Sequence, residues 1–184
     1  MVSICREEGI FMKTLAYLLS ALGLIAMILA SLTKGEKMKR ILFLVFCRNA
    51  LVATSYLLYG KGINGAAACY LAALQSIINY TFESKGKDVP KWLICIYAIA
   101  IIVLNIWVAG GVTALGLLVI VASFTFLMCI GQKNGAKYRI WVSVNISLWC
   151  LYDILSGSYS ALVSHIPLLI FNFAGMFIYD RKKK

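Results

Sequence analysis

Acidic residues are the scarcest chemistry in this chain. Seven Asp and Glu stand against 18 Lys and Arg, and among the acids only Asp153 falls inside a long apolar run, so no carboxylate pair is available at one level for general acid and base work. His165 is the only histidine, which leaves no material for a histidine-based zinc or iron cluster. Cys5, Cys47, Cys69, Cys95, Cys129 and Cys150 show no metal-ligand or redox spacing. All but Cys5 sit in apolar runs, where a thiol behaves as a small hydrophobe. There is no glycine-rich phosphate loop and no nucleophile beside a base. These absences point away from an enzyme and away from any metal or cofactor. Proline is confined to Pro90 and Pro167, and no polar stretch is long enough to form a separate soluble domain.

Apolar residues fill the space that these absences leave. The chain is 62% hydrophobic and 14% charged, far from the balance of a soluble globular domain. The apolar residues gather in seven runs: Thr14–Thr33, Ile41–Tyr59, Gly62–Phe82, Trp92–Ala109, Val112–Ile130, Ile140–Ser156 and Tyr159–Tyr179. Each is close to the roughly 20 residues that cross a hydrocarbon core of about 30 Å. The expected class is an all-α integral membrane protein with seven transmembrane helices.

The positive charges are lopsided. Lys34, Lys37, Lys39 and Arg40 follow the first run, Lys85, Lys87 and Lys91 the third, Lys133, Lys137 and Arg139 the fifth, and Arg181 to Lys184 close the chain. Only Arg6, Lys13 and Lys61 fall on the other side, and Arg48 alone lies within a run. The positive-inside rule then places the N-terminus outside and the C-terminus in the cytoplasm. The basic excess reads as topology, with anionic lipid head groups as partners rather than nucleic acid. The first run is kept as a membrane helix instead of a cleaved signal, because the basic cluster directly after it would oppose translocation of a mature chain. Residues 1–13 then form a short extracytoplasmic tail and residues 180–184 a basic cytoplasmic one.

An odd number of spans with short connections fits three helices, an inverting linker and three more. Two bundles running in the same direction need such a linker, here residues 92–109 between repeats 14–82 and 112–179. The segment RILFLVFCRNALVATSYLLYG aligns with YRIWVSVNISLWCLYDILSG so that Asn49 matches Asn145 and Tyr56 matches Tyr152, each 96 residues apart. With one residue of slack Gln75 matches Asn172, and the loops KGEKMKRI and KNGAKYRI correspond. The fold expected is two parallel three-helix bundles joined by a linker helix.

The stretch NISLWCLYDILSGSYSALV, followed by LLIFNFAGMFIYDRKK, resembles the YgjV-type bacterial inner-membrane proteins, over nearly the whole chain. These in turn resemble the superfamily of SWEET, PQ-loop and PnuC transporters, which share the triplet, linker, triplet plan. The resemblance implies an inner-membrane location and transport of a small metabolite. The chain departs from the SWEET pattern in having no Pro-Gln dipeptide and no hinge prolines in the first two helices of each triplet. That leaves the PnuC-like vitamin carriers as the nearer functional analogy.

Polar groups are costly in hydrocarbon, so those inside the runs should face the interior of the bundle or a wet cavity. Arg48 lies about 12 Å above the inner edge. Asn49 and Tyr56 share a helical face with Ala53, as do Asn145, Trp149, Tyr152 and Asp153 on the sixth run. Ala68, Ala72, Gln75 and Asn79 line one face of the third run, and His165 and Asn172 share a face of the seventh. A solute site between the triplets is therefore expected from Asn49, Tyr56, Gln75, Asn145, Trp149, Tyr152 and Asn172. Amides and aromatic faces suit a neutral ring-bearing or hydroxylated solute such as a vitamin, a nucleoside-like compound or a sugar. The same amides also serve as interhelical ties, and residue by residue both readings stand.

Asp153 and His165, near the turn joining their helices, form an ion pair or a proton site, with Arg48 either gripping backbone carbonyls or meeting a substrate. Small-residue spacings such as Ala26 to Ala30 allow close helix approach and are compatible with a homo-oligomer. They also admit a vitamin-binding S component of an energy-coupling-factor transporter, although such proteins typically have six spans. A non-transporting membrane scaffold is the third class.

Overall fold

The computed structural model describes residues 2–33, 38–132 and 135–179, with side chains described from 10 to 33, 38 to 132 and 136 to 178. The basic cluster at 34–37, Lys133 and the tail 180–184 lie outside the described residues. Among those described there are seven helices and no strand: α1 (Val2–Ser31), α2 (Met38–Tyr59), α3 (Ile63–Ser84), α4 (Lys91–Ala109), α5 (Ala114–Ile130), α6 (Gly135–Ser156) and α7 (Tyr159–Tyr179). Each overlaps one of the seven apolar runs. The one large difference is at the start, where α1 continues back to Val2 through the segment expected as a tail. A helix satisfies its own backbone hydrogen bonds, so nothing requires it to stop where the apolar run stops.

Helix ends follow local chemistry. Pro90 precedes α4, since it has no N–H to lose at a helix start. Gly110 ends α4 in the left-handed region, and the Gly110 and Gly111 amides donate back to the carbonyls of Trp107 and Ile106. The Thr113 hydroxyl caps α5 by accepting from the Gly116 amide at 3.0 Å.

Six helices close into a ring in the order α1, α2, α3, α5, α6, α7, each packed on the next and α7 back on α1. Helix α4 packs against α3 and α5. The distribution of side chains is inverted relative to a water-soluble fold. Leu18, Leu22, Ile25 and Leu29 on α1, Ile99, Val103 and Trp107 on α4, and Ile166, Ile170, Phe173 and Phe177 on α7 all point outward. Arg48, Asp153, His165, Asn49, Gln75 and Asn172 are buried. Hydrocarbon as solvent demands this inversion, because an outward charge would be unsolvated while an outward leucine costs nothing.

Four helices, α1 from Ile10, α2, α4 and α7, are long and apolar enough to cross a membrane. Helix α5 is apolar but has 17 residues. Helices α3 and α6 fall below that standard because they carry the interior polar groups: Gln75, Ser76 and Asn79 on α3, and Ser143, Asn145 and Asp153 on α6. Low hydropathy on these two helices marks a face turned toward protein.

Candidate functional site

Two features occupy the interior, a chain of hydrogen-bonded side chains and a cavity beside it. The chain begins at Tyr56 on α2, whose hydroxyl donates to Asp153 Oδ1 on α6. Asp153 Oδ2 lies 2.5 Å from His165 Nδ1 on α7. The other ring nitrogen, Nε2, meets Arg48 Nη2 on α2, and Arg48 Nη1 donates to Asn49 Oδ1 at 2.6 Å. Asp153 and His165 are fully shielded from solvent and Arg48 nearly so. Trp149 stacks on the imidazole, with ring centroids 6.2 Å apart and planes 16° from parallel.

The donor inventory fixes the direction of this chain. A guanidinium can only donate, so His165 Nε2 must accept from Arg48, and Nδ1 must then carry the proton it gives to Asp153. The imidazole is therefore neutral in this arrangement, and the Arg48 and Asp153 charges balance across it. The structure brings Asp153 and His165, expected as a pair, into contact with Arg48, the third charged residue inside the apolar runs. Its long side chain spans the gap between α2 and α7 and joins the two groups.

A small cavity of about 10 Å³ lies against Arg48 and Asn49 on α2, Ala68, Cys69, Ala72 and Gln75 on α3, Ser123 on α5, and Asn145 and Trp149 on α6. It has room for no more than about one water molecule. Three of the residues that line it each carry a buried polar atom with no hydrogen-bond partner: Asn49 Nδ2, Gln75 Nε2 and Ser123 Oγ. Ala68 and Ala72 leave the space that larger residues would fill. Asn145 is already engaged, its amide donating to the Ala122 carbonyl at 2.6 Å and to Thr125 Oγ1 at 3.0 Å.

A larger cavity of about 230 Å³ opens at the end where α2 and α4 begin and α3 and α5 finish. Its walls include Leu42, Asn79, Glu83, Lys87, Tyr97 and Leu127. Asn79, Tyr97 and Leu127 stand one helical turn from Gln75, Ile101 and Ser123, which line the inner cavity. Three helices thus carry side chains from the wide cavity to the narrow one, with Tyr97 donating to Asn79 at 3.2 Å between them.

Of the residues expected at a solute site, Asn49, Gln75, Asn145 and Trp149 meet at the inner cavity together with Arg48. Tyr56 and Tyr152 lie toward the other end, ring edge to face at 6.3 Å, and the Tyr152 hydroxyl accepts from the Gly65 amide at 3.0 Å. Asn172 is elsewhere, tying α7 to α6 by donating to the Arg139 carbonyl and to Ser143 Oγ, both at 2.8 Å. Sequence reasoning missed Ser123. A serine in an apolar run gives almost no signal, since its hydroxyl is usually absorbed by the helix backbone, as those of Ser76 and Ser147 are.

The position of Asn172 leads to one expectation. Asn172→Leu should loosen the α6 and α7 contact by roughly 1 kcal/mol, the worth of an interhelical amide in a membrane. Thermal unfolding in detergent checks it, and an unchanged midpoint would mean that the two bonds carry no stability.

A family model described as a bacterial inner membrane protein, Imp-YgjV, matches residues 17–183. No curated protein and no solved structure matches the chain.

Proposed function

The chain belongs to the Imp-YgjV family of bacterial inner membrane proteins, and from that premise we propose that it is a facilitator-type transporter for a small neutral solute rich in hydrogen-bond acceptors. The observation that carries this reading is that three residues around one cavity, itself one turn above a wider opening, each hold an unpaired buried polar atom: Asn49 Nδ2, Gln75 Nε2 and Ser123 Oγ. Buried polar groups without partners are costly, so a site that keeps three of them together is built for something that pairs them. Neutrality of the solute follows from the Arg48 and Asp153 charges, which already cancel. Trp149 offers a ring face at the same place, which suits a vitamin, a nucleoside-like compound or a sugar.

In this reading the protein is a carrier, not an enzyme, and the structure is its closed form, with the solute's space collapsed to the size of a water. The ring of six helices then divides into triplets α1 to α3 and α5 to α7, with α4 as the inverting linker. A two-fold axis along the membrane normal would exchange the α1–α7 contact with the α5–α3 contact, and both contacts exist. Asn49 and Asn145 face one cavity across that axis, and Tyr56 touches Tyr152, as repeat-related pairs should. The wide cavity lies on the side bearing the basic loops, which the positive-inside rule makes cytoplasmic. Reporter fusions at Lys61, between α2 and α3, and at Lys184 should report from opposite sides, with alkaline phosphatase active only at the first. Activity at Lys184 would reverse the orientation.

The function is tested by a thermal-shift screen of purified protein against neutral metabolites, because a ligand that binds the folded state raises its apparent stability. Gln75→Leu should leave folding intact and weaken the response to a hit by about 10-fold or more, since a solute hydrogen bond left unmade costs roughly 1–3 kcal/mol. Silence across a broad panel, with no uptake into vesicles, would favour a scaffold.

A further inference from the structure

The imidazole of His165 carries one lone pair able to take up a proton, on Nε2, and that nitrogen faces Arg48. Resting on the transporter reading above, we propose that His165 is a proton-binding site coupled to the solute cavity through Arg48, so that solute movement is linked to proton movement.

The coupling follows from the lone pair that the proton would take. In the structure His165 Nε2 spends it on Arg48 Nη2. A proton arriving from water bonds to that lone pair, no covalent bond breaks, and the site gains one positive charge. Nε2–H and the guanidinium are then both donors and cannot share a hydrogen bond. Nδ1–H keeps its bond to Asp153 in either state. Arg48 must therefore leave His165, and its other N–H group already holds Asn49 Oδ1 at the edge of the cavity. A guanidinium released there needs an acceptor, and a solute oxygen supplies one. Solute binding thus favours the protonated state, and reciprocity makes protonation favour solute binding by the same factor.

Among the described residues, the groups that face His165 are few, and its partner Asp153 is the other one able to take up a proton. From α6 the facing groups are Asp153 and Trp149, with Cys150 and Tyr152 on the same helix; from α2 they are Arg48 and, through Asp153, Tyr56. Helix α1 also packs on α7, but its Ser20 is level with Ser160 through shared bonds to Ser55. Lys13 and Tyr17 lie further toward the start of α1, away from His165.

Since His165 is the chain's only histidine, full-length protein labelled with nitrogen-15 histidine, in lipid nanodiscs and free of any histidine tag, gives one imidazole by NMR. At high pH the expected result is one pyrrole-type signal from Nδ1 and one pyridine-type signal from Nε2, well separated. On acidification the two should converge as a single proton binds, and the Trp149 indole resonance, reporting the stacked ring, should shift along the same titration. An Nε2–H tautomer at high pH, or an imidazole that stays neutral at every pH at which the protein remains folded, overturns the proposal. Either result leaves the solute site intact as that of an uncoupled facilitator, whereas a normal titration with no ligand response in the thermal-shift screen would overturn the transporter reading and the coupling with it, leaving His165 as a proton site only.

Discussion

Asp153→Ala is expected to cost about 3–5 kcal/mol, the range for removing one partner of a buried ion pair. The carboxylate balances Arg48 through the neutral His165 and accepts from Tyr56, and it is fully buried among helices whose outer faces are apolar. Its loss leaves a guanidinium without a counter-charge, nearly fully buried among helices. The measurable outcome is loss of folded protein from detergent extracts, or a large fall in the thermal midpoint. Arg48→Leu combined with Asp153→Leu should recover most of that loss, because replacing both charges by apolar groups of similar size removes the desolvation cost as well as the attraction. Tyr56→Phe should fall between parent and Asp153→Ala, since it takes away one hydrogen bond to a charged acceptor and leaves the charge balance alone, a cost of about 1.5–3 kcal/mol. A single variant as stable as the parent would mean that the charges are solvated independently. A double variant no better than the single would place the effect in packing around Tyr56.

The positions of the helices were legible because hydrocarbon sorts residues by a property each residue carries alone. An apolar run of the right length is a helix in either direction and in any rotation, so all seven appear where the runs lie. The identity of the interior residues was legible for the same reason: Arg48, Asn49, Gln75, Asp153 and His165 have nowhere else to go. What each meets was not legible, since that depends on the rotation and depth of helices relative to one another. Asn172 illustrates the limit. It corresponds to Gln75 in the internal alignment and is equally buried, yet Gln75 faces a cavity while the Asn172 amide nitrogen is committed to Arg139 and Ser143, with its Oδ1 left without a partner. The packing of each helix against its neighbours separates the two roles, and no periodicity encodes it. The reach of Arg48 was hidden differently. Its backbone position left it between gripping backbone carbonyls and meeting a substrate, whereas the six heavy atoms beyond its Cβ bring a solute cavity and a His-Asp pair into one network.

Gly65→Ala should lower stability by about 1–3 kcal/mol, the usual cost of overpacking, although alanine is the better helix former. A Cβ at Gly65 would lie 2.8 Å from Cε1 of Tyr152, closer than carbon atoms tolerate, and 3.0 Å from Cζ of Tyr56, tight enough that the ring must give by a few tenths of an ångström. Neither ring can step aside cheaply. The Tyr56 hydroxyl is bonded to Asp153, the Tyr152 hydroxyl holds the Gly65 amide itself, and the two rings pack against each other. The strain therefore passes along the buried chain to His165 and Arg48, so the variant should disturb a site that it does not touch. Gly175→Ala is the matched control. There the nearest atoms are those of the Arg139 side chain at 3.7 Å or more, an ordinary contact. In mid-helix that change should be neutral or stabilising, by up to about 1 kcal/mol from propensity. Thermal midpoints of the two variants in the same detergent decide the matter. If Gly65→Ala is as benign as Gly175→Ala, α3 is free to shift away from the two tyrosines, and the close approach that fixes the Tyr56–Asp153 contact is not a constraint on the fold.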